Sequence, residues 1–366
     1  MIYLLPMIEQ LNDLEYIESI DVSDMLGAVK AFPRQCREAV EIAKSADLCD
    51  LADVANSGRI STVLVLGMGG SGIAGDVAKA VLEADLQIPF IVNKGYELPT
   101  FVDSGTLVIA VSYSGETEET LTVFDKAVET GAQGAVITSG KRLAAKAKKL
   151  NAPVFMIPTG LQPRAAIAYL ALPIITLLGR IGLAKRNSED REELITLGED
   201  LVDQYRGARP AADNLAKQLA ADLYGKIPVI YGSEGISAVA ALRWKCQFNE
   251  NSKSPAFFNS FPELNHNETV GWQELVDISR QFHLVVLRDS GENARVTKRV
   301  ELTLPLIADN LGGVSEVKSS GESPLAHLFS LIILGDFVSV YLAILYSVDP
   351  TPVERIQLLK EKLKES

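Results

Sequence analysis

Apolar runs of strand length recur through the first half of the chain, at residues 63–66, 90–92, 107–111, 135–138 and 154–157. Between them lie stretches of helical period at residues 74–84, 117–130 and 141–150. This alternation predicts right-handed βαβ units on a parallel sheet. Ahead of the first run, residues 20–48 read as helical, with Val22-Ser23-Asp24 as the expected cap before Met25, Ala28 and Val29.

The pattern then starts again. Ser188-Glu189-Asp190-Arg191-Glu192-Glu193 opens a polar helix with a serine cap and an acidic first turn, expected to link two domains. Beyond it, Ile227-Pro228-Val229-Ile230-Tyr231-Gly232-Ser233-Glu234-Gly235 leads into a helical stretch at 236–248. This echoes the earlier passage from Val63 through Gly67 and Gly70-Ser71-Gly72 into a helix. Likewise His283-Leu284-Val285-Val286-Leu287-Arg288-Asp289-Ser290-Gly291-Glu292 echoes Leu107-Val108-Ile109-Ala110-Val111-Ser112-Tyr113-Ser114-Gly115-Glu116. The fold class expected is α/β, with parallel sheets flanked by helices and an internal duplication. The boundaries expected are a helical extension at 1–55, a first domain at 56–187, a linking helix at 188–225, a second domain at 226–350 and a helical tail at 351–366. Two stretches, 165–184 and 325–347, are apolar enough to resemble membrane spans. The first contains Pro173 and Arg180, the second His327 and Asp336, which are costly in a bilayer, so both are expected to be buried core helices.

Composition narrows the function. A chain of 366 residues, 47% hydrophobic and 22% charged, suits two ordinary globular domains. Its net charge of −12 opposes non-specific attraction to nucleic acid, so an anionic ligand must be captured by a local site. Cys36, Cys49 and Cys246 form no CxxC pair, and His266, His283 and His327 show no metal-ligand spacing. A reducing, cytoplasmic setting is expected, with no metal and no cofactor. The opening Met1-Ile2-Tyr3-Leu4-Leu5-Pro6-Met7-Ile8-Glu9 lacks the basic leading region and cleavage site of an export signal.

Two loops carry the chemistry. Gly67-Met68-Gly69-Gly70-Ser71-Gly72 and Ser112-Tyr113-Ser114-Gly115-Glu116-Thr117 each follow a strand-like run and open a helical stretch. Gly70, Ser71, Ser112, Ser114 and Thr117 together offer backbone N–H groups, hydroxyls and the positive end of a helix dipole, the ingredients of a phosphate cradle. The first loop also satisfies G-x-G-x-x-G, which opens a nicotinamide-dependent reading. A dinucleotide site wants an acidic residue after the second strand, where this chain has Val92-Asn93-Lys94-Gly95. Lys94 keeps an NADP-dependent oxidoreductase open through the 2′-phosphate. In the second copy the hydroxyl cluster shrinks to Ser290 and a carboxylate intrudes at Asp289, so poor phosphate binding is expected there. Two further polar stretches, Gln247-Phe248-Asn249-Glu250-Asn251-Ser252-Lys253 and Pro262-Glu263-Leu264-Asn265-His266-Asn267-Glu268, place a carboxylate and an imidazole on loops where they serve either as base and acid or as ordinary turn and capping groups.

Together with Gln162-Pro163-Arg164, Asn249-Glu250-Asn251 and the terminal Asp349-Pro350-Thr351-Pro352-Val353, these loops make the chain resemble the bifunctional phosphoglucose/phosphomannose isomerases of the sugar isomerase (SIS) superfamily, in motif order over residues 61–360. The N-terminal extension and the segment near Ser188 look longer than in a minimal member. The resemblance implies two flavodoxin-like SIS domains and metal-free interconversion of glucose 6-phosphate or mannose 6-phosphate with fructose 6-phosphate. It implies phosphate binding by Ser71, Ser112, Ser114 and Thr117, with Glu250 as the base that moves a proton between C1 and C2. It further implies Arg164 beside the enediolate, and His266, donated across a homodimer interface, together with Lys360 in ring opening. Lys362 and Lys364 lie close to Lys360, and Thr351 is a candidate for the room left at C2. Two other readings share these domains. A non-catalytic sugar-phosphate sensor normally brings a basic DNA-reading segment, which is missing from this sequence. A glutamine-dependent amidotransferase needs an N-terminal cysteine, whereas this chain begins Met1-Ile2-Tyr3.

Overall fold

The computed structural model describes residues 8–185 and 188–365, so most of the opening segment read for an export signal lies outside the described residues. The chain forms two compact units. One holds residues 31–196 with 323–325, and the other holds the described residues up to Lys30, 197–322 and those from Ala326 on.

The first unit is built on five parallel strands, β1 (Thr62–Leu66), β2 (Phe90–Asn93), β3 (Thr106–Ser112), β4 (Gln133–Thr138) and β5 (Val154–Met156), in the order β2-β1-β3-β4-β5. β1 pairs Leu64 with Val108 of β3 and with Ile91 of β2. Every residue of β3 is buried, which is why its sequence is almost unbroken apolar. The helices Gly69–Leu82, Glu118–Glu129 and Lys141–Lys149 are the crossovers between these strands, and Leu121, Phe124 and Leu143 close one core with Leu64, Val108 and Val136.

The second unit repeats the plan with four parallel strands, β6 (Ile227–Ser233), β7 (Phe257–Phe261), β8 (Phe282–Arg288) and β9 (Val314–Lys318), in the order β7-β6-β8-β9. That is the first sheet's order without its last strand, and in both it is the flavodoxin-like order. The duplication holds at single residues. Ser112 and Arg288 end the strands β3 and β8, and Thr117 and Asn293 stand as N-caps of the helices that follow.

One expectation changes. The helical reading of residues 20–48 resolves into Leu14–Ile20, Met25–Lys30 and Phe32–Ser45. The expected cap is present at Asp24, whose carboxylate accepts the Gly27 N–H at 2.9 Å, and it is joined by a second acid, Asp21. The Asp21 carboxylate accepts the N–H groups of Met25 and Leu26 at 2.8 and 2.7 Å. Burial raises the Asp21 pKa, and those two N–H bonds oppose the rise. The apolar stretches behave as core. Residues 167–179 are all buried, and Arg180 turns its guanidinium onto the carbonyls of Ala43 and Ala46 at 2.7 and 2.8 Å. Among the described residues one helix, Pro324–Leu345, is long and apolar enough to cross a membrane, with a mean hydropathy of 2.3, yet its apolar window is wholly buried inside the protein.

Candidate active site

β1 and β3 are neighbours whose crossovers leave in opposite directions, one toward β2 and the other toward β4, so their C-terminal ends form the topological switch point of the sheet. Both hydroxyl-rich loops start there. The helix Gly69–Leu82 follows β1 with Ser71 in its first turn, where the N–H groups of Ser71 and Gly72 close back onto the Met68 carbonyl at 3.0 and 3.1 Å. Ser71 Oγ accepts the N–H of Tyr113 at 3.1 Å, and Ser114 Oγ accepts that of Glu116 at 3.2 Å. In both cases the backbone fixes the oxygen and leaves the hydroxyl proton to be donated elsewhere. Ser112 Oγ lies 2.8 Å from Thr117 Oγ1 and accepts the Gly115 N–H at 3.1 Å. Ser71 and Ser112 are buried, whereas Ser114 is exposed at the rim.

The backbone of these loops admits little substitution. Gly115 has φ +68°, and a Cβ there would stand 2.0 Å from the carbonyl oxygen of Gly140. At Gly70 a Cβ would come within 2.9 Å of the Pro163 carbonyl and 3.0 Å of the Arg164 nitrogen. The first loop therefore lies directly on the Pro163–Ala165 3-10 turn, which carries the buried Arg164. Gly70, Ser71, Ser112, Ser114, Thr117 and Arg164 thus come together in one unit. The residue that sequence reasoning missed is Tyr113. Besides donating to Ser71, it accepts the Leu161 N–H on its hydroxyl at 2.8 Å and the Ser139 hydroxyl on its carbonyl at 2.6 Å. One buried tyrosine joins both loops to the segment before Arg164. Its apolar position in the motif gave no sign of this.

Lys94, which had kept an NADP reading open, forms an ion pair with Asp76. The Asn93 side chain is spent on its own turn, donating to the Glu97 carbonyl at 2.7 Å and accepting the Gly95 N–H at 2.9 Å. Among the described residues no cluster of His, Cys, Asp or Glu has the grouping of a metal site.

In the other unit, Glu250 is the last residue of the helix Ile236–Glu250 rather than a loop residue. The run Asn249-Glu250-Asn251 imitates a loop in sequence because its side chains anchor the helix end. Arg243 Nη2 and Gln247 Nε2 both donate to Asp336 at 2.7 Å, Asn251 Nδ2 donates to Ser339 Oγ at 2.9 Å, and Ser252 Oγ donates to the Ser339 carbonyl at 2.7 Å. Beyond the helix, Lys253 Nζ donates to the carbonyls of Glu250 and Pro350 at 2.8 and 2.9 Å. Glu250 and Thr351 therefore sit on segments stitched together by one ammonium group. His266 ends the 3-10 turn Glu263–His266 and is exposed. The segment that follows it is fixed by Glu268, whose carboxylate accepts from the Tyr231 hydroxyl and from Asn259 Nδ2. Desolvation, and after it Glu268, push the Tyr231 pKa up. Lys360 is exposed on the helix Glu354–Glu365.

Residues 59–163 match the SIS domain, and residues 212–363 match the bacterial phospho-glucose isomerase C-terminal SIS domain. The bifunctional phosphoglucose/phosphomannose isomerase of Caldicellulosiruptor bescii is 46% identical over 306 residues, covering 84% of this chain and 90% of that protein. The chain belongs to the bifunctional phosphoglucose/phosphomannose isomerase family. The Aquifex aeolicus member is 38% identical over 303 residues, covering 82% of this chain and 90% of its own. A hypothetical protein from Thermus thermophilus has the same fold, with a TM-score of 0.74 at 15% identity, over 98% of this chain and 94% of that one. Both family models fall on the duplicated sheets, so the two copies are two SIS domains. Within this isomerase family, the hydroxyl-rich loops belong to the first SIS domain and Glu250, His266, Thr351 and Lys360 to the stretch matched by the second model.

Proposed function

We propose that this chain is an aldose–ketose isomerase that interconverts glucose 6-phosphate and mannose 6-phosphate with fructose 6-phosphate through a cis-enediolate. The observation that carries the reading is the pair of hydroxyl-rich loops at the switch point of the first sheet, in a chain of this family. Ser71, Ser112, Ser114 and Thr117, with the N–H groups near Gly70, hold the phosphate. Glu250 takes the proton from C2 of the open aldose and returns it to C1, a task for a carboxylate that both accepts and gives back a proton. Arg164 offsets the charge of the enediolate, while His266 and Lys360 open the sugar ring. Glucose and mannose 6-phosphates differ only at C2 and lose that difference in the shared enediolate, so one site serves both, and a small Thr351 leaves the room this needs.

We divide the chain into an N-terminal extension, two SIS domains, a linking helix and a C-terminal tail. We further propose a cytoplasmic homodimer in which His266 serves the other copy, and a reaction that needs no metal. In a coupled assay with both aldose phosphates, a chelator is expected to leave the rate unchanged. The decisive variant is Glu250→Gln. Isomerisation is expected to vanish while affinity for the phosphate-bearing ligand stays close to wild type. Turnover near the wild-type rate would remove Glu250 from this role. Exchange of solvent deuterium into C1 of fructose 6-phosphate separates the enzyme from a sensor that only binds, because a sensor exchanges nothing.

A further inference from the structure

The second SIS domain carries the same pair of loops at the C-terminal ends of β6 and β8, and something anionic already lies between them. Glu292, with its side chain 7% exposed, turns its carboxylate inward. One oxygen accepts the Ser233 hydroxyl at 2.6 Å, and the other accepts Arg288 Nε at 2.8 Å and the Thr297 hydroxyl at 3.1 Å, with a further contact from Arg288 Nη2. Counted from the N-caps Thr117 and Asn293, Glu292 stands where Glu116 stands in the first copy. Glu116 faces the other way and accepts the Arg142 N–H at 3.1 Å. Ser112, which ends β3, is matched by Arg288 at the end of β8. The first copy therefore presents hydroxyls at this point, whereas the second presents a guanidinium and then satisfies it with its own carboxylate. Asp289, the carboxylate that sequence reading had placed there, is instead engaged by His327 Nδ1 at 3.0 Å.

We infer that the second SIS domain contains a complete oxyanion-binding site whose resident ligand is the Glu292 side chain. Its two carboxylate oxygens stand in for two oxygens of a phosphate-type anion, received by the guanidinium of Arg288 and the hydroxyls of Ser233 and Thr297. Next to them lies a pocket of about 370 Å³ lined in part by Arg288, Glu292, Thr297 and Lys318, so there is room for the larger tetrahedral group and for what it is attached to. Glu316, 2.9 Å from Arg288 Nη1, occupies only that nitrogen, so Nε and Nη2 are left to receive an anion once Glu292 is gone. The internal carboxylate is covalently tethered, so it outcompetes free anions at any ordinary concentration and confines oxyanion capture to the first copy.

The test is to delete the tethered anion and supply a free one. Bound inorganic phosphate per chain is measured by equilibrium dialysis for wild type and Glu292→Ala side by side, so that the first cradle contributes equally to both. The variant is expected to bind a second phosphate per chain and to gain a saturable, phosphate-dependent rise in Tm that chloride at equal ionic strength does not reproduce. The double variant Glu292→Ala with Arg288→Ala is expected to lose both effects. Glu292→Ser also shortens the side chain and vacates the site while keeping a polar group, so it is read in the same way if the alanine variant does not fold. A folded Glu292→Ala or Glu292→Ser protein that binds no more phosphate than wild type overturns the inference, as does a gain that survives removal of Arg288.

Discussion

Lys253 shows how much of a site rests on a residue with no obvious chemistry. It follows a helix end, has φ +54°, and spends its ammonium on the carbonyls of Glu250, Asn251 and Pro350. A cation there also complements the negative end of the helix dipole. Lys253→Met is expected to lower stability by about 1 kcal/mol. Because it frees the segment that carries Glu250 while leaving the phosphate loops alone, kcat should fall about tenfold with little change in KM. A variant with wild-type kcat would make Lys253 an ordinary helix cap. Sequence reading singled out Ser71, Ser112, Ser114 and Thr117 because they cluster with glycines just after two apolar strand-like runs. It passed over Tyr113, whose partners Ser71, Ser139 and Leu161 lie far away in the chain, and Lys253, whose link to the Pro350 carbonyl is equally distant.

Among the elements, the strands legible in sequence are those that carry an apolar run, including the edge strands β2 and β5 of the first sheet. β1, β3 and β8 read as unbroken apolar runs. β7 (Phe-Phe-Asn-Ser-Phe) and β9 (Val-Ser-Glu-Val-Lys) escaped notice, because polar residues interrupt both, Asn259 and Ser260 in the first and Ser315, Glu316 and Lys318 in the second. The helix Pro324–Leu345 was legible as core through the same feature that argues against a bilayer, its single acid. Asp336 is buried and receives Arg243 and Gln247 from the helix that ends at Glu250. Breaking such a pair from one side leaves a buried charge uncompensated, at a cost of about 3–5 kcal/mol. Asp336→Leu is therefore expected to lower the unfolding free energy by that amount, and Asp336→Leu with Arg243→Met to recover much of it. Urea unfolding of the two variants decides the matter. Equal losses in both would mean that the helices are held by packing alone.

The stability of the whole molecule should carry the signature of one buried lysine. Lys217 is fully buried, with its ammonium on the carbonyls of Gly207 and Arg209, both at 2.7 Å, and 5.6 Å from the centre of the Tyr341 ring. It pins the turn after the helix Ser188–Tyr205, along which the chain passes from one unit to the other. These carbonyl and ring partners are all neutral, and desolvation lowers the Lys217 pKa from 10.5 to about 8. A cation whose pKa is lower in the folded state opposes folding wherever it is protonated there. Below pH about 8 both states hold the proton and the penalty is constant, about 3 kcal/mol. Between pH about 8 and 10.5 the folded protein has shed a proton that the unfolded chain still holds, so stability rises with pH. Other groups titrate in the same range, and subtracting the curve of Lys217→Met removes them. The difference in unfolding free energy between wild type and variant should stay flat up to about pH 8 and then climb in favour of wild type by up to about 3 kcal/mol. Parallel curves would mean that Lys217 keeps an ordinary pKa, with its charge solvated by motion of the turn that its ammonium holds.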